Sequence, residues 1–356
     1  MKIGIFNSGG DCPGLNAVIH SIVSAGHRNG YETYGFIDGF KGFLNKDGIT
    51  PLTLEGTEHI SKLGGTILGS SNRNDLLSAS NSLDETKLME KICLAREENG
   101  YADFNAFIVV GGEGSLKFAY QLFLQGWPVI GIPKTIDNDL SATAMTFGFD
   151  SAVTTVVDGL DRLHTTAESH RRIMVLETMG RDAGWIALQG GIAGGANVIL
   201  IPEIPFDINK VAEFIQQRDD QNRKGCLVVV AEGATTTEGA QIYSRIEKKG
   251  HSRLGGIGQW VADQLEKLTK KDIRYCALGH LQRGGSPTSL DRVLGARFGV
   301  KAVQLLHKGQ FGRMVSYQSY QVDSVPLEQV VNSLKKVDPL GEMVNTAKSI
   351  GIHLGD

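Results

Sequence analysis

Short apolar runs recur along the chain, and segments of helical character separate them. Most runs, such as Ala106–Val110 and Leu227–Ala231, are continuous rather than alternating, as in strands buried on both faces of a parallel sheet. This alternation of strands and helices predicts a doubly wound α/β architecture. In such sheets ligands bind beyond the carboxyl ends of the strands, so the glycine turns after the runs are the candidate binding loops.

The pattern also sets bounds for each element. The predicted strands are Lys2–Asn7, Ala106–Val110, Pro128–Ile132, Arg172–Leu176, Asn197–Ile201, Leu227–Ala231 and Ile273–Leu278. The predicted helices are Leu15–Asn29, Gly114–Gln125, Ser151–Ser169, Gly184–Ala193, Ile208–Arg223 and Gly256–Lys270.

No linker rich in Pro, Ser or Gly divides the chain, so we infer the domain limits from the order of the predicted strands, helices and motifs. The chain switches domain near Phe147–Asp150 and returns near His280–Gly285. We therefore expect a discontinuous first domain of residues 1–148 and about 282–330. A second domain would comprise residues 149–281, followed by a C-terminal extension over about 331–356.

Composition and charge narrow the class of protein. The 356 residues can bury a large core and suggest two domains. With 36 basic and 39 acidic residues the formal net charge is −3, so no global field favours nucleic acid or an anionic membrane. No signal-peptide pattern opens the chain, and no apolar run approaches the ~20 residues of a spanning helix. We expect a cytoplasmic protein without nucleic-acid or membrane partners, whose four scattered cysteines are reduced and buried.

The segment Pro133–Asp139 reads PKTIDND and directly follows a predicted strand. In an extended segment residues two apart project to the same side, so Asp137 and Asp139 would face one pocket. One carboxylate could take a proton from a substrate hydroxyl while the other holds Mg²⁺ near transferring phosphates. A solvated, turn-forming Asp-Asn-Asp cluster is the alternative interpretation.

Two glycine loops join a predicted strand to a predicted helix, at Ser8–Ala17 and at Val110–Leu116. Glycines there let backbone N–H groups approach a phosphate at the positive end of the helix. Glu113 could bind a hard cation, and Gly114 leaves room for a nucleotide α-phosphate. The first loop has neither the Walker A nor the GxGxxG pattern, and a tight turn in which Asp11 caps the helix is the alternative interpretation for it.

Arginines lie at the ends of predicted strands. Arg172 and Arg181 flank one strand, Arg274 begins another, and HLQRGG follows that strand at His280–Gly285. Because guanidinium offers phosphate a bidentate fork, a neutral protein with this pattern is expected to build a specific phosphate pocket. Glu232, after a further strand, offers an acceptor for a sugar hydroxyl, with a structural acid nearly as plausible.

In this order the segments resemble the phosphofructokinase family. The matching motifs are SGGDCPGLNAVI at Ser8–Ile19, GGEGS at Gly111–Ser115, PKTIDND at Pro133–Asp139, ETMGRDAGW at Glu177–Trp185, AEG at Ala231–Gly233 and LGHLQRGGSPTSLDR at Leu278–Arg292. The resemblance implies two Rossmann-like doubly wound domains with mostly parallel sheets. It implies a glycolytic kinase that uses Mg²⁺ and a phosphoryl donor to phosphorylate the 1-hydroxyl of fructose 6-phosphate.

The resemblance also implies a role for each matching residue. Asp137 matches the general base, Thr135 contacts the moving phosphoryl group, and Arg181 stabilises charge in the transition state. Glu113, where the family usually has Asp, and Asp139 match the Mg²⁺ site. Donor phosphates are assigned to Gly10, Asn72, Arg73, Gly111, Gly112, Glu113, Gly114 and Ser115. Fructose 6-phosphate is assigned to Thr135, Asp137, Arg172, Met179, Gly180, Arg181, Glu232, Arg274, His280 and Arg283. In the family the residues matching Arg172 and Arg274 reach across a subunit interface, which implies a homo-oligomer, commonly a tetramer, with a dimer as the alternative.

Donor identity and regulation depend on departures from the family pattern. Gly114 resembles the ATP class and Lys134 the pyrophosphate class, and this combination resembles a mixed-type branch that often uses ATP. We therefore expect ATP as donor, with pyrophosphate as the alternative and ADP still open. The typical bacterial enzyme has effector-binding arginines where this chain has His20 and Ser24, so weak or absent control by ADP or phosphoenolpyruvate is expected.

Other classes of protein fit the sequence less well. A non-catalytic regulatory subunit would be expected to lose the base or the metal acids, yet residues 113, 137 and 139 are all acidic. A lipid or NAD kinase shares the GGEGS-like loop but gives no reason for HLQRGG or the paired arginines.

Overall fold

The computed structural model describes residues 1–71, 85–239, 243–246, 252–331 and 333–356. These residues form two compact units. The first comprises Met1–Ile136, Leu140–Ser151 and Arg283–Leu334. The second comprises Asp137–Asp139, Ala152–Gln282 and Lys335–Asp356.

The described strands, in chain order, are β1 Lys2–Asn7, β2 Glu32–Phe36, β3 Ile49–Leu52, β4 Ala106–Gly111, β5 Val129–Pro133, β6 Ile173–Thr178, β7 Val198–Leu200, β8 Cys226–Ala231, β9 Tyr243–Ile246, β10 Ser252–Leu254, β11 Ile273–Ala277, β12 Arg313–Gln318 and β13 Gln321–Pro326. The described helices are α1 Leu15–Arg28, α2 Phe40–Phe43, α3 Leu54–Thr57, α4 Glu85–Glu98, α5 Glu113–Leu124, α6 Phe149–His170, α7 Trp185–Ala193, α8 Ile208–Asp220, α9 Ile257–Thr269, α10 Ser289–His307 and α11 Glu342–Ser349. Short 3₁₀ helices occupy Ile60–Lys62, Gly279–Arg283 and Leu327–Gln329.

The first unit is built on a seven-stranded sheet with the strand order β13-β12-β5-β4-β1-β2-β3. Its centre is parallel, and the registers Asn7↔Val110 and Gly111↔Pro133 align the carboxyl ends of three neighbouring strands. The loops that follow β1, β4 and β5 therefore begin next to one another, at the carboxyl ends of these strands. A cluster of buried aromatic rings supports the strands, with the Phe6 and Phe36 centroids 4.5 Å apart.

The second unit contains a four-stranded parallel sheet with the order β11-β6-β8-β7. Its two central strands are buried along their whole length and are apolar except for Glu177 and Thr178 at the end of β6, which explains why their sequences show no alternation. The antiparallel pair β9 and β10 stands apart from this sheet. The predicted α/β architecture with mostly parallel sheets is confirmed in each unit.

The four cysteines correct one expectation. All are free thiols, and burial raises the pKa of both Cys12 and Cys226 to about 12. Cys93, however, is half-buried, and Cys276 is exposed on β11, at the edge of its sheet, so the expectation that all four thiols are buried is wrong. None of the helices in the described part of the chain has the length and apolar character that a bilayer crossing requires.

Candidate active site

Both glycine loops of the first unit close tightly against neighbouring backbone. The Ser8 amide donates to the Val110 carbonyl at 3.0 Å, which joins the start of one loop to the end of the strand before the other. A Cβ on Gly111 would lie 2.3 Å from the Ser115 Cβ, so this turn has no room for a side chain. The second loop leads directly into α5, whose first residue is Glu113. The amides of this loop therefore lie at the positive end of a helix, a position that favours anion binding.

Gly114 differs from Gly111 although it lies only three residues later. A Cβ built on Gly114 would meet no described atom within 4 Å. The space next to this glycine is therefore open, whereas the space next to Gly111 is filled. The sequence-based expectation that Gly114 leaves room for a ligand agrees with this geometry.

Two cations contact the first glycine loop. The ammonium of Lys134, which is 4% exposed, donates to the Gly10 carbonyl, and Arg283 Nη1 donates to the Asp11 carbonyl at 3.2 Å. A Cβ on Gly10 would lie 2.6 Å from Arg283 Nη1. Arg283 thus lies in the first unit beside a loop assigned to the donor, and its predicted contact with the sugar 6-phosphate stays a prediction.

The acidic segment does not continue the strand before it. β5 ends at Pro133, Thr135 is half-buried, and Asn138 adopts the left-handed conformation with φ 52°. The premise that Asp137 and Asp139 share a side because they lie on extended backbone is therefore wrong. A bend built around a buried asparagine sets the directions of both acids instead.

Lys335 contacts this bend from the C-terminal segment of the second unit. Its ammonium donates to Asn138 Oδ1 at 2.9 Å, and its amide donates to the Asp139 carbonyl at 2.7 Å. Burial lowers the pKa of Lys335 to about 8, an effect that the charge of Asp139 opposes. Sequence reasoning overlooked Lys335 because it lies in a segment without a recognisable motif.

The carboxyl ends of β6 and β8 bring together the residues assigned to the sugar. The Glu232 amide donates to the Thr178 carbonyl at 2.9 Å, and the Gly233 amide donates to the Gly180 carbonyl at 3.1 Å. Gly180 has φ 125°, which favours glycine, and a Cβ there would lie 2.9 Å from the Ala183 carbonyl oxygen. Met179, Gly180 and Glu232 therefore lie together, with Arg181 exposed at the same end of the sheet.

A short 3₁₀ helix after β11 carries His280 and Gln282. His280 is exposed, whereas Gln282 is fully buried, and its Oε1 accepts from the Met179 amide at 3.4 Å. Gln282 belongs to the HLQRGG motif but was not assigned a role from the sequence. Its contact links this helix to the loop after β6.

Arg172 and Arg274 lie at the opposite end of the same sheet, where β6 and β11 begin. One carboxylate binds both guanidiniums, because Arg172 Nε donates to Asp272 Oδ2 at 2.5 Å and Arg274 Nη1 lies 2.8 Å from Asp272 Oδ1. The structure thus brings the two predicted clamp arginines together, but at the other end of β6 from Met179 and Gly180. Asp272, which no motif marks, was overlooked.

The acids proposed for Mg²⁺ offer only oxygen atoms, the donors that this hard cation prefers. Glu113 opens α5 in the first unit, and Asp139 belongs to the second unit. The described residues contain no group of three or more metal-binding side chains, so phosphate oxygens and water would have to complete the coordination. Each acid by itself therefore offers the ligand chemistry that suits Mg²⁺.

Two buried acids in the motif regions have structural partners. Glu177 accepts from the Gly258 amide at 2.9 Å and from the Tyr275 hydroxyl at 2.9 Å, which ties β6 to the start of α9. Asp291 accepts from the amide and hydroxyl of Ser151 at 2.8 and 2.6 Å. Burial raises the pKa of Asp291 to about 6. These contacts explain why ETMGRDAGW and SPTSLDR contain acids that no catalytic role requires.

Two further sequence predictions concern donor binding by Asn72 and Arg73 and the effector position at His20 and Ser24. Asn72 and Arg73 lie outside the described residues. His20 and Ser24 line a cavity of about 430 Å³ between α1 and α10, with Val300 and Val303 on its other wall. His20 Nδ1 lies 2.8 Å from the Thr57 carbonyl oxygen, so this ring nitrogen is already in a hydrogen bond.

Comparison with known proteins agrees with the motifs. The family described as Phosphofructokinase matches residues 2–306. An ATP-dependent 6-phosphofructokinase of Chloroflexus aurantiacus is 47% identical over 356 residues, which cover 100% of this chain and 98% of that protein. A pyrophosphate–fructose 6-phosphate 1-phosphotransferase of Streptomyces coelicolor is 46% identical over 95% of this chain and 97% of that protein. The structure of Pichia pastoris phosphofructokinase in the T-state superposes with a TM-score of 0.80 at 30% identity, over 93% of this chain and 35% of that longer one. This chain belongs to the phosphofructokinase family.

Proposed function

We propose that this protein is an ATP-dependent 6-phosphofructokinase of the cytoplasm. It transfers a phosphoryl group from ATP to the 1-hydroxyl of D-fructose 6-phosphate and forms fructose 1,6-bisphosphate in glycolysis. The observation that carries the proposal is the arrangement of the candidate site residues in the second unit. Asp137 lies in the bend at Asn138, and Met179, Gly180 and Glu232 lie together at the carboxyl ends of β6 and β8. The relatives' names and the motif order support the same activity.

Phosphoryl transfer mainly requires positioning, charge neutralisation and a base near the attacking hydroxyl. Asp137 accepts the proton of the sugar hydroxyl, while Thr135 and Arg181 contact the phosphoryl group in transfer. Glu113 and Asp139 would hold Mg²⁺, which neutralises negative charge on the donor's phosphates when bound. The amides of Gly10 and of Gly111–Ser115 bind the remaining donor oxygens.

The sugar phosphate is bound by residues from two copies of the chain. An extended strand rises about 3.3 Å per residue, so the length of β6 separates Arg172 from Met179 by roughly 20 Å. That distance exceeds the length of a hexose phosphate. Arg172 and Arg274 therefore bind the 6-phosphate in the site of a neighbouring subunit, with His280 and Arg283 contributed by the chain that carries Asp137. The active form is a homo-oligomer, a tetramer or a dimer, with shared sites.

The open space beside Gly114 favours ATP as donor, because a nucleotide α-phosphate needs that volume. Pyrophosphate is the second candidate, and the observation in its favour is Lys134, whose ammonium lies at the Gly10 carbonyl. An aldolase-coupled assay with ATP, ADP and pyrophosphate in parallel, at fixed fructose 6-phosphate, tests the proposal. We expect turnover with ATP, and a folded protein that uses none of the three donors would refute the function.

Substitution of Gly114 by Asp tests the steric argument for the donor. The added carboxylate would fill the open volume and repel a phosphate there, so the KM for ATP should rise while any turnover with pyrophosphate is retained. An unchanged KM for ATP would show that the open space does not select the donor.

The absence of arginine at positions 20 and 24 leads us to expect weak or no activation by ADP or phosphoenolpyruvate in the same assay.

A further inference from the structure

Lys335 makes at least three hydrogen bonds, and two of them hold the segment of the proposed catalytic base. Its ammonium donates to Asn138 Oδ1 at 2.9 Å and its amide donates to the Asp139 carbonyl at 2.7 Å. Its own carbonyl accepts from Trp185 Nε1 at 2.8 Å. All of these residues belong to the second unit. Lys335 is therefore attached to the acidic bend through both side chain and main chain.

The bend that Lys335 contacts is backbone that an L-residue adopts at a cost. Asn138 has φ 52°, a left-handed conformation that is unfavourable for most L-residues. Asparagine tolerates it best because its short amide can hydrogen-bond locally. Here Asn138 is 4% exposed, and its side-chain oxygen accepts a hydrogen bond from Lys335. The conformation that separates Asp137 from Asp139 thus depends on a partner far away in sequence.

The segment around Lys335 is itself fixed to a helix start. Glu203 accepts from the Val337 amide at 2.8 Å and from the Gly184 amide at 3.0 Å. Trp185 is the first residue of α7, and the Lys335 ammonium lies 5.8 Å from the centre of its indole ring. The carbonyl of Lys335 is thus tied to Trp185, and the amide of Val337 is tied through Glu203 to Gly184 at the start of α7. A rigid element, rather than a loose terminus, supports the acidic bend.

We propose that Lys335 is a positioning residue for phosphoryl transfer, which holds Asn138 in its left-handed conformation and thereby orients Asp137 and Asp139. This inference rests on the proposed function of Asp137 as the base. In this role Lys335 acts through Asn138 and the main chain of Asp139. Loss of its ammonium should release the bend without removing any substrate contact, so turnover should suffer more than substrate affinity.

The test compares Lys335→Met with Lys336→Met, because Lys336 is also a lysine, is the next residue in the chain and is exposed. For Lys335→Met we expect kcat to fall about 10- to 100-fold, the size of effect that small misplacements of catalytic groups produce. The KM values for fructose 6-phosphate and donor should stay within about threefold of wild type. Lys336→Met should keep wild-type kcat. Wild-type kcat in Lys335→Met would overturn the proposal.

A second pair of variants separates positioning from general stability. Asn138→Gly keeps the left-handed backbone accessible but removes the amide, so adding Lys335→Met to it should lower kcat by much less than in the wild-type background. Equal effects in both backgrounds would show that Lys335 does not act through Asn138.

Amide hydrogen exchange supplies a readout that needs no activity. Peptides covering residues 136–140 should exchange faster in Lys335→Met than in Lys336→Met. Unchanged exchange there would overturn the positioning role. An inactive wild-type protein would instead refute the proposed function, while the exchange comparison would still decide whether Lys335 holds the bend.

Discussion

The two units prepare for ligands in different ways. In the first unit the candidate ligand-binding groups are main-chain amides in glycine turns. Ser115 packs against one turn, and the ammonium of Lys134 and the guanidinium of Arg283 contact the other. The second unit presents charged and polar side chains, at both ends of a four-stranded sheet. The first unit should therefore be sensitive to added atoms, and the second to removed charges.

The largest effect is expected from removing one charge in the second unit. Asp137→Asn keeps the size of the side chain but cannot accept the proton, so kcat should fall by the ~10²–10⁴-fold typical of lost acid–base catalysis. Affinity for fructose 6-phosphate should be largely kept, which equilibrium binding of the sugar phosphate would measure. A fall in affinity that matches the fall in kcat would assign Asp137 to binding instead.

Asp291 lies in the first unit, and its replacement by Asn is expected to change the pH dependence of stability but not catalysis. Burial raises its pKa from 3.8 to about 6, so between these values the native state binds a proton that the unfolded chain releases. Stability should therefore decrease as pH rises from about 4 to 6, by up to about 3 kcal/mol from this group. Denaturant unfolding at several pH values should show that Asp291→Asn loses this part of the slope. An identical slope in both proteins would contradict the assignment.

Arg274→Ala removes a charge from the other end of the second sheet. Because hydrogen bonds to charged groups contribute about 1.5–3 kcal/mol, the KM for fructose 6-phosphate should rise about 10- to 100-fold. The kcat should change little, since the 6-phosphate is remote from the reacting bond. An unchanged KM would refute the clamp assignment.

Co-expression of Arg274→Ala with Asp137→Asn tests whether the two ends of the sheet serve different sites. If sites are shared, random assembly leaves about a quarter of them with an intact acid from one chain and an intact arginine from its neighbour. Activity should then exceed that of either variant alone at low sugar phosphate. If each chain builds its own site, no such gain should occur.

The smallest effect concerns added atoms in the first unit. Gly111→Ala places a methyl group 2.3 Å from the Ser115 Cβ and 3.2 Å from the Ser8 carbonyl oxygen, and overpacking of this kind costs about 1–3 kcal/mol. Gly114→Ala adds the same group to open space and is the matched control. Thermal unfolding of the two variants should therefore differ, and equal stability would remove the contrast between these glycines.

The buried strands could be predicted from the sequence because burial on both faces makes them continuously apolar. Lys2–Asn7 was predicted with its exact bounds, and Ala106–Val110 to within one residue. The strands β2, β3, β12 and β13 were overlooked. They lie toward the edges of the first sheet, where short and partly exposed strands mix polar and apolar residues.

The site could be predicted only where a motif holds its residues close together in sequence. Gly180 and Glu232 follow buried strands and meet as expected, because parallel strands end at one edge. The bend at Asn138 could have been anticipated, since asparagine is among the residues that adopt left-handed backbone most readily. Lys335 and Asp272 could not, because Lys335 contacts Asn138 and Asp272 contacts Arg172 from 197 and 100 positions away, and no local pattern marks either residue.

The placement of Arg172 and Arg274 at the start of their strands has a consequence for how the protein should respond to dilution. If sites are shared, a monomer would contain Asp137 and also Arg172 and Arg274, but these residues would not lie in the same active site. Specific activity should then collapse below the concentration at which copies separate, and fructose 6-phosphate, by bridging two copies, should hold them together. Assembly itself would become a means of setting the catalytic rate.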